Sequence, residues 1–168
     1  MKIYIFDLDN TLLYKPYKTY GDIKPDLQLY KLLDEIPHAK YIYSNATRNH
    51  VDRSLDRIGI DSMFQAKFTR DDVQMKPDPR GYQYVNTMTL FQSVNLDYDS
   101  FQPQDTYFFD DLLENLYTAK QFGWITFWIS SSDQTYDFVD FQFSTIVKAL
   151  RFLKTQEIQR GYSPVSLI

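Results

Sequence analysis

The chain contains no cysteine, which excludes a disulfide framework, a thiolate nucleophile and thiolate-bound zinc. Its chemistry must come from oxygens and nitrogens. Ring nitrogens are scarce as well, since the only histidines are His38, beside a proline, and His50, inside a helical stretch. Both read as surface or packing residues. Positive charge is not in excess: 18 Lys and Arg face 22 Asp and Glu, a net charge of -4. A surface built for nonspecific nucleic-acid binding is therefore not expected. No apolar run reaches membrane-spanning length, and the first one is cut by Asp7, unlike the longer core of a signal peptide. There is no internal repeat, low-complexity tract or domain-separating linker. A soluble, cytoplasmic chain of 168 residues with one core is the expectation.

What is present alternates. Short apolar or β-branched runs are separated by longer amphipathic stretches, the pattern of a parallel sheet covered by helices on both faces. Strands are expected at Lys2 to Phe6, Ala39 to Tyr43, Ala66 to Phe68, Thr106 to Phe109 and Trp124 to Ile129. Helices are expected from Pro25 to Ile36, with a stripe of Leu27, Leu29, Leu32, Leu33 and Ile36, and from Arg48 to Ile58, closed by Gly59. Further helices are expected at Arg80 to Gln92, at Leu112 to Gln121, stopped by Gly123, and at Ser144 to Lys154. The fold class is α/β, a three-layer Rossmann-like sheet of about five strands. The core is assigned to residues 1–154. Residues 155–168 form a tail that packs back, pairs with another subunit or stays loose. Trp124, Phe127 and Trp128 are expected in the core rather than as a base-stacking platform.

Two strands end on paired acids, Asp7 with Asp9 and Asp110 with Asp111. In a doubly wound sheet the loops at the carboxyl ends of the strands share one crevice, so these acids should meet Ser44, Asn45, Thr47 and Lys76 there. Three or four carboxylates in one pocket repel each other unless a cation neutralises them. Oxygen-only ligands with room for a substrate phosphate describe magnesium better than zinc.

In order along the chain, Asp7-Leu8-Asp9-Asn10-Thr11, Ser44-Asn45-Ala46-Thr47, Lys76-Pro77-Asp78-Pro79 and Asp110-Asp111-Leu112-Leu113-Glu114-Asn115 resemble the four motifs of the haloacid dehalogenase-like hydrolase superfamily. The wording is similar to the branch holding pyrimidine 5'-nucleotidases and related small-phosphate phosphatases. The resemblance covers residues from about 3 to 129. It implies that Asp7 attacks phosphorus to form an aspartyl-phosphate and that Asp9 serves first as general acid, then as general base. Dehalogenating and phosphonate-cleaving branches lack an acid at the second position, which favours phosphate esters here. Ser44 and the backbone amide of Asn45 would hold phosphoryl oxygens, and Lys76 would offset charge. Asp7, the backbone carbonyl of Asp9, and Asp110 would hold magnesium, with Asp111 acting through water and Asn115 ordering the Asp110 loop. Thr11 would support the first loop by hydrogen bonding, and Thr47 would cap the following helix.

The departure from that pattern is an omission. Asn10 to Tyr43 and Ala46 to Met75 leave no room for the cap domain that encloses small metabolites. The site is expected to be open unless the Leu13 to Asp22 loop, the tail or a second subunit in a homo-oligomer covers it. An open site admits a phosphorylated macromolecule as well as a nucleotide. Tyr14, Tyr17, Tyr20, Lys15 and Lys18 are expected on its rim. A retired catalytic fold serving as a binding module is the alternative, and a phosphotransferase or mutase would need a closed site.

Overall fold

A computed structural model of the protein describes residues 2–92 and 105–159. Six strands form one wholly parallel sheet: β1 (Ile3–Phe6), β2 (Ala39–Tyr43), β3 (Ala66–Phe68), β4 (Thr106–Asp110), β5 (Ile125–Ile129) and β6 (Phe141–Phe143). Their spatial order is β3-β2-β1-β4-β5-β6. The chain winds outward from β1 in one direction, then returns to place β4 on its other side. The switch point therefore lies between the carboxyl ends of β1 and β4, where such sheets bind ligands.

Among the described residues five helices complete the layers: α1 (Leu27–Asp34), α2 (Arg48–Ile58), α3 (Pro79–Gln92), α4 (Leu113–Gln121) and α5 (Ile146–Gln159). Alternation along β1 sorts the core. Tyr4 and Phe6 join one buried cluster with Leu29 and Leu33 of α1, Val51 and Leu55 of α2, and Ile146 and Leu150 of α5. Ile3 and Ile5 join a second with Tyr82 and Val85 of α3 and Leu116 and Ala119 of α4. A sheet covered on both faces explains why β1, β2 and β4 are buried at every position. Trp124, Phe127 and Trp128 are core residues. Among the described residues no helix is long and apolar enough to cross a membrane.

Several boundaries differ from the sequence reading. Helix α1 starts after Asp26, not at Pro25, because the Asp26 carboxylate accepts the Leu29 amide at 3.0 Å and so caps the helix. Leu27 falls at its first position, 72% exposed and outside the apolar stripe. Strand β4 runs one residue further, taking in Asp110. The sixth strand, β6, was not expected from its three residues; it extends the sheet beyond β5, and Phe141 and Phe143 stack on Phe127 and pack at a tilt against Phe152. Helix α5 continues to Gln159, so Thr155 to Gln159 of the expected tail are helical. Residues 160–168 of that tail, and residues 93–104 between α3 and β4, lie outside the described residues. Between β1 and β2 the chain forms only a loop, the short 3-10 turn Tyr20–Asp22 and α1, so nothing resembling a cap is inserted there.

One glycine positions the loop before α3. A Cβ on Gly81 would stand 2.1 Å from the Tyr43 hydroxyl oxygen and 2.3 Å from the Gln74 carbonyl oxygen, two atoms already joined by a 2.9 Å hydrogen bond. In an open helix Gly→Ala would gain up to about 1 kcal/mol. Here the steric clash with backbone should outweigh that gain. Gly81→Ala is expected to lose about 1–3 kcal/mol, read as a lower midpoint in urea unfolding.

Candidate active site

The last rungs of the sheet carry the site. Asp7 follows β1 and its amide still donates to Phe109 at 2.9 Å, while the Ser44 amide, just past β2, donates to Phe68 at 3.0 Å. Asp7 and Asp110 thus flank the switch point. Between them lies the ammonium of Lys76, from the loop before α3. Its Nζ donates to Asp7 Oδ1 at 2.8 Å and to Asp110 Oδ2 at 2.5 Å, with side chains 1%, 10% and 0% exposed.

Each member of this triad is held from outside. Asn45 grips the backbone of Lys76 at two points, donating from Nδ2 to its carbonyl at 2.8 Å and accepting its amide at 2.7 Å. The Asn45 side chain is therefore committed to Lys76. Asn115 donates from Nδ2 to Asp110 Oδ1 at 2.9 Å and Oδ2 at 3.0 Å, and the Leu112 amide adds a bond to Oδ1 at 2.9 Å. Tyr43 and Phe108 place their rings 5.4 Å from the Lys76 ammonium, completing an apolar wall.

Beyond the triad the pocket widens to about 270 Å³, lined by Asp7, Asp9, Ser44, Lys76, Asp111 and Asn115 among others. The Ser44 hydroxyl is nearly buried and accepts the Ala46 amide at 3.2 Å. Thr47 caps α2 by accepting the His50 amide at 3.3 Å. Asn10 adopts φ 60 and reaches from the first loop to Asp111 at 3.3 Å, a left-handed conformation that asparagine tolerates. Thr11 departs from expectation. Its amide donates to Leu8 at 3.2 Å, but its buried hydroxyl has no partner among the described residues. The loop is held there by backbone, not by the side chain.

Asp9 stands apart from the acids it was grouped with. Its carboxylate is 45% exposed and accepts from His50 Nε2 at 2.9 Å, while the Tyr20 hydroxyl bonds His50 Nδ1 at 2.7 Å. Nothing in the sequence distinguishes His50 from any other polar residue in the first turn of a helix. Of the expected rim, Tyr14 and Lys15 instead engage Asp26, whereas Tyr17 stays near Asp9, whose charge and the residue's partial burial raise its phenol above the usual range. His38 stacks on Tyr4 at the far end of the sheet.

Burial pushes the Asp7 carboxyl up to about 7, with Lys76 opposing and Asp110 and Asp111 adding to the rise. Burial alone would lower the Lys76 ammonium, but Asp110 and Asp7 hold it above its ordinary range. Burial and Asp110 likewise raise Asp111. One internal cation is thus shared by three acids. Oxygens of Asp7, Asp110 and Asp111 lie within 4.8 Å of one another, and the buried side-chain oxygen Oδ1 of Asn115, on the pocket wall, has no partner among the described residues. An all-oxygen donor set with negative charge in excess fits a hard divalent cation such as magnesium.

No protein-family model and no curated protein sequence matches the chain. Solved structures do. A HAD phosphatase from Thermococcus onnurineus superposes with a TM-score of 0.66 at 16% identity, over 91% of this chain and 98% of that one. The chain has the haloacid dehalogenase-like fold. The core domain of a putative phosphoglycolate phosphatase from Streptococcus pneumoniae matches at TM-score 0.61 and 19% identity, over 92% of this chain and 96% of that one. The L-2-haloacid dehalogenase from Xanthobacter autotrophicus, solved with chloropropionic acid covalently bound, matches at TM-score 0.60 and 16% identity; 80% of this chain spans 63% of that one. Phosphatases and dehalogenases both carry this haloacid dehalogenase-like fold, so what distinguishes them must come from side chains.

Removing the central cation tests the triad. Lys76→Met leaves two buried carboxylates uncompensated and is expected to cost about 3–5 kcal/mol at pH 8. The loss should shrink at pH 5, where Asp7, raised to about 7, takes up a proton. Urea unfolding at both pH values measures the difference.

Proposed function

We propose that the chain is a magnesium-dependent phosphomonoester hydrolase working through an aspartyl-phosphate on Asp7. The observation that carries this reading is the pairing of two unlike acids on one pocket. Asp7 is buried against an ammonium, whereas Asp9, two residues on, is half exposed and free of that ammonium. A buried, fixed carboxylate is suited to attack, and an accessible one to exchanging protons with a leaving group and water. The dehalogenase reading needs no such acid, so Asp9 favours phosphate esters.

In this scheme an Asp7 oxygen attacks phosphorus while Asp9 protonates the departing ester oxygen. Ser44 and the backbone amide of Asn45 hold phosphoryl oxygens, and Lys76 offsets the negative charge gathered at the nucleophile. Asp9 then takes a proton from the water that attacks phosphorus, releasing inorganic phosphate and restoring Asp7. Asp7, Asp110, Asp111 and the backbone carbonyl of Asp9 would hold magnesium, which supplies charge neutralisation and orientation of the phosphate when bound. With no cap between β1 and β2, the substrate class we favour is a phosphorylated macromolecule or a nucleotide, consistent with a cytoplasmic enzyme.

The unmodified chain is expected to hydrolyse 4-nitrophenyl phosphate with magnesium and to lose activity with a chelator. Asp7→Asn should remove turnover by about 10³-fold or more. Chloride release from 2-chloropropionate without phosphate release would instead make the chain a dehalogenase. Turnover of neither, with phosphate ester still bound, would favour a retired binding module.

Magnesium should also act on stability, with a defined sign. A carboxyl raised in the folded state disfavours folding increasingly as pH climbs from its ordinary value of 3.8 to about 7, and a bound cation relieves that penalty. The magnesium-induced rise in melting temperature should therefore be larger at pH 8 than at pH 5.5. An equal rise at both would show that the cation binds away from Asp7.

A further inference from the structure

We infer that His50, fixed by Tyr20, is a positioning residue for the general acid Asp9, an inference that rests on the phosphatase reading. The geometry is a three-member chain from the loop after β1 to helix α2 and back to the site: Tyr20 hydroxyl to His50 Nδ1 at 2.7 Å, and His50 Nε2 to Asp9 Oδ1 at 2.9 Å. With the tyrosine hydroxyl donating to Nδ1, the ring proton sits on Nε2 and donates to Asp9. That contact occupies one carboxylate oxygen. Asp9 Oδ2 has no hydrogen-bond partner among the described residues and is the oxygen left to carry the proton that is exchanged with substrate.

The supports of this chain are independent of the triad around Lys76. The Arg53 side chain, one turn along α2, lies over the Tyr20 ring at 3.9 Å, and Tyr20 opens the 3-10 turn whose Asp22 carboxylate accepts the Thr19 amide at 2.7 Å. His50 itself stands three residues after the helix cap Thr47, its backbone amide bonded to the Thr47 hydroxyl. The imidazole is thus held at its backbone, at Nδ1 and against the Tyr20 ring, and it presents Nε2 to Asp9. An acid that is 45% exposed would otherwise sample several rotamers in water. Restricting them to the one facing the pocket raises the fraction of encounters in which the leaving oxygen meets a proton.

The proton balance leaves the imidazole unchanged. As the Asp7 oxygen bonds to phosphorus and the P–O bond to the leaving group breaks, the Asp9 proton passes to the departing oxygen. In the second half, water bonds to phosphorus, its proton goes to Asp9, and the Asp7–phosphorus bond breaks. His50 keeps its Nε2 proton throughout and holds Asp9 in both halves.

A leaving group that departs readily needs little help from an acid, so positioning should be read in leaving-group dependence. For a series of substituted phenyl phosphates, kcat/KM reports the steps through transfer to Asp7. His50→Ala is expected to lose about tenfold more on phenyl phosphate than on 4-nitrophenyl phosphate. KM for each should move less than kcat. Tyr20→Phe, which keeps the ring under Arg53, should shift the slope in the same direction by less, and His50→Gln, which retains a donor, should recover part of the loss.

Equal losses across the series, or none, would overturn the positioning role while leaving the phosphatase reading intact. Failure of the unmodified chain to hydrolyse any member would overturn both. Should His50→Ala not fold, as judged by its melting temperature, Tyr20→Phe and His50→Gln decide the matter by the same slope.

Discussion

The site depends on one buried ion triad, in which the Lys76 ammonium is shared by Asp7 and Asp110. Removing three charges from water costs several kcal/mol each, and the attraction within the triad offsets this more fully where further hydrogen bonds meet its members. Those contacts are supplied by Asn115 and the Leu112 amide on Asp110, and by Asn45 on the backbone of Lys76. The three charged residues come from the loop after β1, the loop before α3 and the end of β4. The same attraction that places the proposed nucleophile therefore also ties the two halves of the doubly wound sheet across its switch point. Stability and chemistry share a residue here, so Lys76 cannot be altered for one without touching the other.

The triad leaves the charge unbalanced. Two carboxylates meet one ammonium, and Asp111 stands close enough to be raised by Asp110. A site in this state has affinity for further positive charge and resists further negative charge, yet the proposed substrate is an anion. A divalent cation resolves the conflict by cancelling the negative charge the acids hold in excess. The orphaned Asn115 oxygen and the clustered carboxylate oxygens are what such a cation would find.

Much of this was legible in the sequence because it rests on local, repetitive physics. Short runs of mainly apolar and β-branched residues marked β1, β2, β4 and β5, Gly59 marked the end of α2, where it takes a positive φ of 84, and paired acids at strand ends marked the crevice. The misses arise where tertiary contacts override local pattern. Three residues of β6 carry too little periodicity to register, and they are strand only because β5 offers an edge and Phe127 and Phe152 offer partners. Pro25 looked like a helix start, but Asp26 won because its carboxylate reaches the Leu29 amide. Asn45 was read for its backbone while its side chain holds Lys76, and His50 carried no signal because its partner Tyr20 lies thirty residues away.

Asp7 and Asp9 show how two identical residues two positions apart can acquire different roles. Along a strand they would share a face; the turn at Asn10, with its left-handed φ of 60, begins where β1 has ended, so their surroundings differ. Asp7 is enclosed by the sheet and its ammonium, which fixes its direction. Asp9 emerges into the loop after β1, the segment where a cap would be inserted, and meets α2 through His50. Burial suits the first to the proposed role of nucleophile and exposure suits the second to the proposed exchange of protons, provided something restores the orientation that exposure costs. In a protein with a cap, enclosure by the second domain can do this. Here the loop between β1 and α1, held to α2 through Tyr20 and His50, is in place to do so in the proposed mechanism.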